Sequence, residues 1–214
     1  MNDTYRHKGL RKILVEEVHS KGIKDEKVLN AMMNVPRHFF MDTSFVKYAY
    51  KDQAFPIGCG QTISQPYTVA FQTQLLEVDR YHKVLEVGTG SGYQTAILVE
   101  MGAKVFTIER QRDLFLKAQS FLPSIGYKAN FFYGDGYEGQ ISYGPFDRIL
   151  ITAGATEIPE KLKSQLKIGG IMVIPLGDSS SQVMTRIERK SDDEYSETEH
   201  GRFVFVPLLK GKSM

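Results

Sequence analysis

The 214 residues hold one cysteine, Cys59. A single thiol closes no internal disulfide, a chain of this length needs none, and zinc sites built from cysteine pairs are excluded. Strong charge of one sign is missing too. Lys+Arg 27 against Asp+Glu 25 leaves +2, so composition offers no electrostatic footprint for nucleic acid. No run approaches the ~18 consecutive apolar residues of a membrane span. The opening MNDTYRHKGLRKILVEEVHSKG is charged throughout and lacks the apolar centre of a signal peptide. Five histidines (His7, His19, His38, His82 and His200) are scattered without an i, i+4 pair, so no metal site is expected. These absences leave a soluble, cytoplasmic protein, with neither membrane nor nucleic acid as partner. With 42% hydrophobic and 24% charged residues the composition is that of an ordinary globular chain. At ~150 residues per domain, the length suits one domain with additions.

Leu10, Ile13, Leu14 and Val18 have helical spacing, which predicts an amphipathic helix over 3–20. A second helix is expected over 25–33 with Asp25 as its N-cap. Pro36 interrupts. Residues 41–65 have no clear period and read as a long irregular segment, of the kind that is often functional. Helical spacing returns over 66–78, with Pro66 in the first turn. From residue 83 the pattern alternates. Strands are expected at 83–88, 104–109, 129–135, 147–152 and 170–175, and helices from about 93 to 101, over 111–122 before Pro123, and over 158–167 before Gly169-Gly170. Two late runs, 182–190 and 202–208, read as strands around a polar loop at 191–201. Alternating strands and helices imply a doubly wound α/β fold: a mostly parallel, Rossmann-like sheet preceded by N-terminal helices. The last pair, with no helix between its members, adds an antiparallel edge. The expected organisation is one domain over 1–214, with helices and a lid segment in 1–80 and the sheet core in 81–208.

Gly88-Thr89-Gly90-Ser91-Gly92 falls where the first strand of this array becomes a helix. Ligands of doubly wound sheets bind outside the carboxyl ends of the strands, and glycines there let backbone approach them. The dinucleotide spacing G-x-G-x-x-G is not met, and no G-K-[ST] follows for a P-loop. Glu86, two positions before the first glycine, would repel a pyrophosphate. It would attract the sulfonium and ammonium groups of S-adenosylmethionine, directly or through water. Glu109 ends the second strand, where an acid accepts ribose hydroxyls from either cofactor class; the alternative is a solvated strand-end charge. Asp135, in Gly134-Asp135-Gly136, either accepts from the adenine amine or closes an Asx turn.

The segment Ala54 to Pro66, AFPIGCGQTISQP, precedes the glycine turn and could fold over the strand ends as a lid. Ser64 is a candidate for touching a reacting group, although spacing before Pro66 alone favours a helix N-cap. No G-x-S-x-G elbow surrounds it. Cys59 lies between glycines without an activating pattern and reads as packing or incidental.

Val35-Pro36-Arg37-His38-Phe39, the Ala54–Pro66 segment, VLEVGTGSGYQTAIL over 84–98, Gly134-Asp135-Gly136, Pro145-Phe146-Asp147-Arg148, Gly169-Gly170, Pro175-Leu176-Gly177 and Arg202 to Leu208 together closely resemble the protein-L-isoaspartate O-methyltransferase family, over residues 9 to 208. Phe55 stands where Leu is common, a change that could reshape a peptide cleft, and Gly154 where Ala is common. The resemblance implies a seven-stranded methyltransferase sheet, S-adenosylmethionine as cofactor, and methyl transfer to the α-carboxylate of isoaspartyl residues in damaged proteins. It implies that Ser64 belongs to the active site and that Thr62, Ile63 and Ser64 close over the cofactor. Gly88, Thr89, Gly90, Ser91 and Gly92 would surround its methionine part. Glu109 would hold the ribose, and Asp135 with Gly136 the adenine. Substrates of unrelated sequence call for backbone contacts, which suits the loop carrying Pro56 and Ile57. A monomer is expected. An S-adenosylmethionine enzyme acting on a small molecule or RNA would share residues 84–136 but would not require the 54–66 segment.

Overall fold

The computed structural model describes residues 2–213; the two end residues of the expected 1–214 domain lie outside the described residues. Two helices, α1 (Tyr5–Ser20) and α2 (Glu26–Asn34), open the chain. Thr4 caps α1 in a capping box with His7, and Asp25 caps α2 by accepting from the Lys27 N–H, as its sequence position suggested. The buried face of α1 is not the expected one. Leu14 and Val18 are buried with Val15 and Arg11, while Leu10 and Ile13 stay exposed. Arg11 is tolerated inside because its guanidinium donates to both Asp3 oxygens (3.1 and 2.9 Å), to Met33 O (2.6 Å) and to Tyr50 Oη (3.0 Å).

The irregular 41–65 segment contains a hairpin, β1 (Phe55–Gly58) and β2 (Gln61–Ile63). Gly58, Cys59 and Gly60 all take positive φ at its tip, which explains a glycine on either side of the exposed cysteine. Helix α3 (Pro66–Leu76) follows, with Pro66 in its first turn.

The main sheet comprises β3 (Lys83–Val87), β4 (Lys104–Glu109), β5 (Asn130–Tyr133), β6 (Phe146–Ile151), β7 (Leu166–Gly177), β8 (Gln182–Arg189) and β9 (Tyr195–Phe203). Their order across the sheet is β5-β4-β3-β6-β7-β8-β9. The strands β3 to β7 pair in parallel, while β8 and β9 form the antiparallel edge. The crossover helices are α4 (Tyr93–Glu100), α5 (Arg112–Ser124) and the short α6 (Glu160–Lys163). Both faces of the central strands are covered, so adjacent residues such as Val84-Leu85 and Val105-Phe106 are both apolar and both buried. Val84 packs with α3 and α4 in one core cluster; its neighbour Leu85 faces the opposite cluster with Ile149 and Met172. Order reverses at β3, which puts the switch-point crevice above β3, β4 and β6.

Three expectations need correction. The helix expected over 158–167 has only four residues, because Leu166 already pairs with Phe146 and Gly169-Gly170 sit within β7, at a register shift. The polar 191–201 stretch is mostly strand. Its turn closes at Lys190–Glu194, and Tyr195–Phe203 pairs with β8. An edge strand solvated on one face needs no apolar run, and its charges discourage further pairing. Residues 204–208, expected as a continuing strand, leave the sheet instead and cross the end of β6, where Gly154 N–H donates to Val206 O and Leu208 N–H to Gly154 O. Glycine at 154 makes room there, because a Cβ would press on the Gln182 side chain that accepts from Phe205 N–H.

Candidate active site

A cavity opens where β3, β4 and β6 end. Its walls come from the hairpin (Gln61 to Ser64), the turn from Gly88 to Ser91, the start of α4, Glu109, Gly136, Thr152 and the crossing segment Val206 to Leu209. The fold thus joins residues far apart in sequence. Thr62, Ile63, Ser64, Gly88, Thr89, Gly90, Ser91, Glu109 and Gly136 all border it. Gly92, Glu86, Asp135, Pro56 and Ile57 are not among its lining residues.

The turn is built on left-handed backbone: Gly88, Gly90 and Gly92 have φ of 101°, 54° and 82°. Side chains rarely adopt these angles, so the alternating glycines are dictated by conformation. The turn in turn fixes Glu109, whose Oε2 accepts from Gly90 N–H and Oε1 from Gln111 N–H, both at 2.8 Å. Glu109 is buried, which removes the reading as a solvated strand-end charge.

Glu86 points the other way, toward α4. It is wholly buried, its Oε2 accepts from Thr95 Oγ1 at 2.5 Å, and its Oε1 has no hydrogen-bond partner among the described residues. Burial pushes its carboxyl up to about 7, against the lowering effect of the hydrogen bond from Thr95 and of the nearby Thr107 hydroxyl. Thr107 Oγ1 lies 2.6 Å from the Oγ1 of Thr89 on the cavity wall. Glu86 therefore sits under the turn.

Ser64 connects β2 to α3. The N-cap position belongs to Gln65, and no side chain caps the helix, which overturns the capping alternative for Ser64. Ser64 borders the cavity and also an adjoining groove of about 450 Å³ lined by Ala54, Gln65, Arg202 and Phe203 to Val206. Thr62, Thr152 and Val206 share that double position. Pro56 and Ile57 lie on the hairpin away from this groove, and Ile57 borders a separate apolar groove beside α5. Phe55 packs on Phe45 and Tyr48, with ring centroids 5.6 and 6.1 Å away, and does not line the groove beside Ser64.

Three residues gain their places from tertiary structure alone. Thr152 Oγ1 donates to the Val87 and Gly88 carbonyls (3.0 and 2.8 Å) and closes the floor of the cavity. Gln94, on its wall, donates from Nε2 to Thr73 Oγ1 (3.0 Å); because that hydroxyl already donates to Val69 O (2.7 Å), the amide orientation is fixed. Gln94 Oε1 is then a buried acceptor with no partner among the described residues. Arg37, from the V-P-R-H segment, is wholly buried over the Tyr93 ring at 4.8 Å and donates to Gln53 O at 3.3 Å. Burial lowers its guanidinium to about 10. For Gln94, a polar residue early in a helix after a glycine turn was the one available signal.

Histidines scattered in sequence do meet. Asp3, His7 and His38 place ligand-type atoms within 4.8 Å of one another, and the two rings stack at 3.9 Å. Arg11 occupies both Asp3 oxygens, and His38 Nδ1 lies 2.7 Å from Tyr50 Oη. The cluster ties the N-terminal segment to residues 37–50.

The cavity wall carries Glu109, and Gln94 lines it, with its buried Oε1, unpartnered among the described residues, behind. Arg110, its basic group, has Nε committed to Gly211 O at 3.1 Å. This donor and acceptor set fits a ligand bearing ribose hydroxyls and a cationic end, and does not fit a pyrophosphate.

The sequence model of the family described as protein-L-isoaspartate(D-aspartate) O-methyltransferase matches residues 9–213. The chain belongs to this family. A protein-L-isoaspartate O-methyltransferase from Christiangramia forsetii is 58% identical over 214 residues, covering both chains completely. A solved protein-L-isoaspartate O-methyltransferase is similar with a TM-score of 0.83 and 27% identity, covering 92% of this chain and 65% of that one. A further structure, a putative family member from Plasmodium falciparum in complex with S-adenosyl-L-homocysteine, gives a TM-score of 0.81 at 28% identity and covers 94% of this chain and 99% of the other. The seven-stranded sheet agrees with the expected methyltransferase architecture.

Proposed function

We propose that this chain transfers a methyl group from S-adenosylmethionine to the free α-carboxylate of L-isoaspartyl residues in damaged proteins and peptides. The observation that carries the reading is the position of Ser64, which lines both the cavity at the strand ends and the adjoining groove. Cofactor and polypeptide would meet at that hydroxyl.

The bound cofactor supplies a methyl group on a sulfonium, an electrophile that needs no further activation. Glu109 would hold the ribose, Gln94 would line the ammonium end, and Gly136 with Asp135 would hold the adenine end. The Gly88–Gly92 backbone surrounds the methionine part, with Thr62 and Ile63 above it. Glu86, buried beneath the turn and bonded to Thr95, would support the turn without touching the cofactor.

An α-carboxyl with a pKa of ~3.5 is ionised at neutral pH, so its oxygen attacks without a general base. Ser64 donates a hydrogen bond that aims the carboxylate. A neutral donor suits this role, since Lys or Arg would draw charge from the nucleophile. Placement is the main task, and well-oriented systems gain ~7–11 kcal/mol from it. The methyl ester carries a far better leaving group, methoxide departing as methanol, than the free carboxylate does. The neighbouring backbone nitrogen attacks the ester, methanol departs, and the resulting succinimide hydrolyses in part to normal aspartate.

The chain is read as a single methyltransferase domain that acts as a monomer. A lone exposed thiol at Cys59 suits the cytoplasm. The test supplies methyl-labelled cofactor with an isoaspartyl peptide and with its aspartyl isomer. Label that enters the isoaspartyl peptide alone and leaves as methanol in mild base supports the reading. Base-stable label, or equal labelling of both isomers, overturns it.

A further inference from the structure

The last residues of the chain return to the cofactor side of the sheet. Ser213 N–H donates to Arg110 O at 2.8 Å, and Ser213 O accepts from Arg112 N–H at 3.1 Å, a parallel bridge just beyond the end of β4. Tyr133 Oη, at the end of β5, donates to the same Ser213 carbonyl at 3.0 Å. Between these anchors and Leu209 on the cavity wall, Gly211 N–H donates to Asp135 Oδ2 at 2.6 Å. The other carboxylate oxygen, Oδ1, accepts from Tyr137 N–H at 2.9 Å. Gly211 has a φ of +77° and no neighbour within 4 Å of a built Cβ, so its glycine is required by backbone conformation and not by crowding.

We infer that residues 210–213 are a positioning strap that fixes the Asp135 carboxylate as an acceptor and thereby sets the enzyme's preference for a 6-amino purine. The inference rests on the reading of Asp135 as the adenine-facing acid and deepens it. One N–H donated to each oxygen removes the rotation of the carboxylate. An ionised carboxylate has acceptor sites only, and each oxygen retains a further lone pair. Held this way, it accepts from the exocyclic amine of adenine and opposes the carbonyl of a 6-oxo purine. Without the strap, Tyr137 N–H alone would orient the acid. Among the described residues nothing else supplies the second donor: the loop after β5 provides Tyr137, and Gly211 reaches Asp135 from 76 residues away.

The test is calorimetric titration with S-adenosyl-L-homocysteine and S-inosyl-L-homocysteine, which differ in the 6-substituent and in the N1 proton that goes with it. It uses the full chain, a chain ending at Lys210, Gly211→Val in the full chain, and Asp135→Asn. The strap predicts that truncation and Gly211→Val each weaken the adenosyl ligand about tenfold, the scale of one charge-assisted hydrogen bond, and leave the inosyl ligand within about twofold. Asp135→Asn, which can donate as well as accept, should erase the preference. Equal weakening of both ligands in the strap variants makes the strap a general wall and overturns the inference. So does an unchanged ratio in those variants while Asp135→Asn erases it. An unchanged ratio in Asp135→Asn itself overturns the reading of Asp135, and the inference with it.

Discussion

The guanidinium of Arg37 stacks over the ring of Tyr93, 4.8 Å from its centroid, and joins two parts of the site that are 56 positions apart in sequence. Tyr93 is the first residue of α4, directly after the glycine turn. Through Nη2, Arg37 also holds Gln53 O, just ahead of the hairpin that carries Thr62 and Ile63. Its Nε and Nη1 have no hydrogen-bond partner among the described residues. A wholly buried cation with two unsatisfied donors is costly for stability, and the tether it makes between hairpin and cofactor helix is what it gives in return.

Arg37→Met is therefore expected to keep or raise the melting temperature, since a volume-matched apolar chain relieves the buried donors. The same change should raise KM for an isoaspartyl peptide, because the hairpin loses its tie to α4. Thermal unfolding and steady-state kinetics check both. A lowered melting temperature with unchanged KM would contradict the assignment.

Ser64→Ala should lower kcat about 10²-fold, the usual scale for one donor aimed at a reacting oxygen, with S-adenosyl-L-homocysteine affinity little changed. Calorimetry and turnover on the same preparation separate the two. Unchanged turnover would remove Ser64 from the mechanism.

Glu109→Ala should weaken S-adenosyl-L-homocysteine about 100-fold, the scale of two hydrogen bonds to a charged acceptor. Gly90 and Gln111 would also lose their acceptor, so the turn itself would loosen. Wild-type affinity by calorimetry would refute the ribose role.

Glu86 gives a prediction about pH. Its carboxyl is pushed up to about 7 in the folded chain against an ordinary value of 4.5. Between those values the unfolded chain gives up a proton that the folded chain keeps, so this group makes stability fall as pH rises from 4.5 to 7. At one unit per 1.36 kcal/mol the loss amounts to roughly 3 kcal/mol, complete above pH 7. Glu86→Gln should flatten the melting temperature against pH between 5 and 8. An identical slope in variant and parent would place the titration elsewhere.

The sheet was legible in the sequence because parallel strands covered on both faces need adjacent apolar residues, as Val84-Leu85 and Ile149-Leu150-Ile151 supply. The glycine turn was legible because three positive φ values leave little choice of residue. What eluded the sequence has a common cause. Tyr195–Phe203 pairs as a strand although it is polar, since pairing with β8 and not composition holds it there. Arg11 faces inward on α1 because Asp3 and Met33 O satisfy it. Gln94, Thr152 and the tail contact of Asp135 acquire meaning only from partners distant in the chain.

The most direct test of the account is a crystal structure with S-adenosyl-L-homocysteine and an isoaspartyl peptide bound together. The account predicts the ligand in the cavity above Gly88–Gly92, the peptide in the groove beside Arg202, and the isoaspartyl α-carboxylate within hydrogen-bond reach of Ser64 Oγ. A peptide bound elsewhere, or a carboxylate turned away from Ser64, would contradict it.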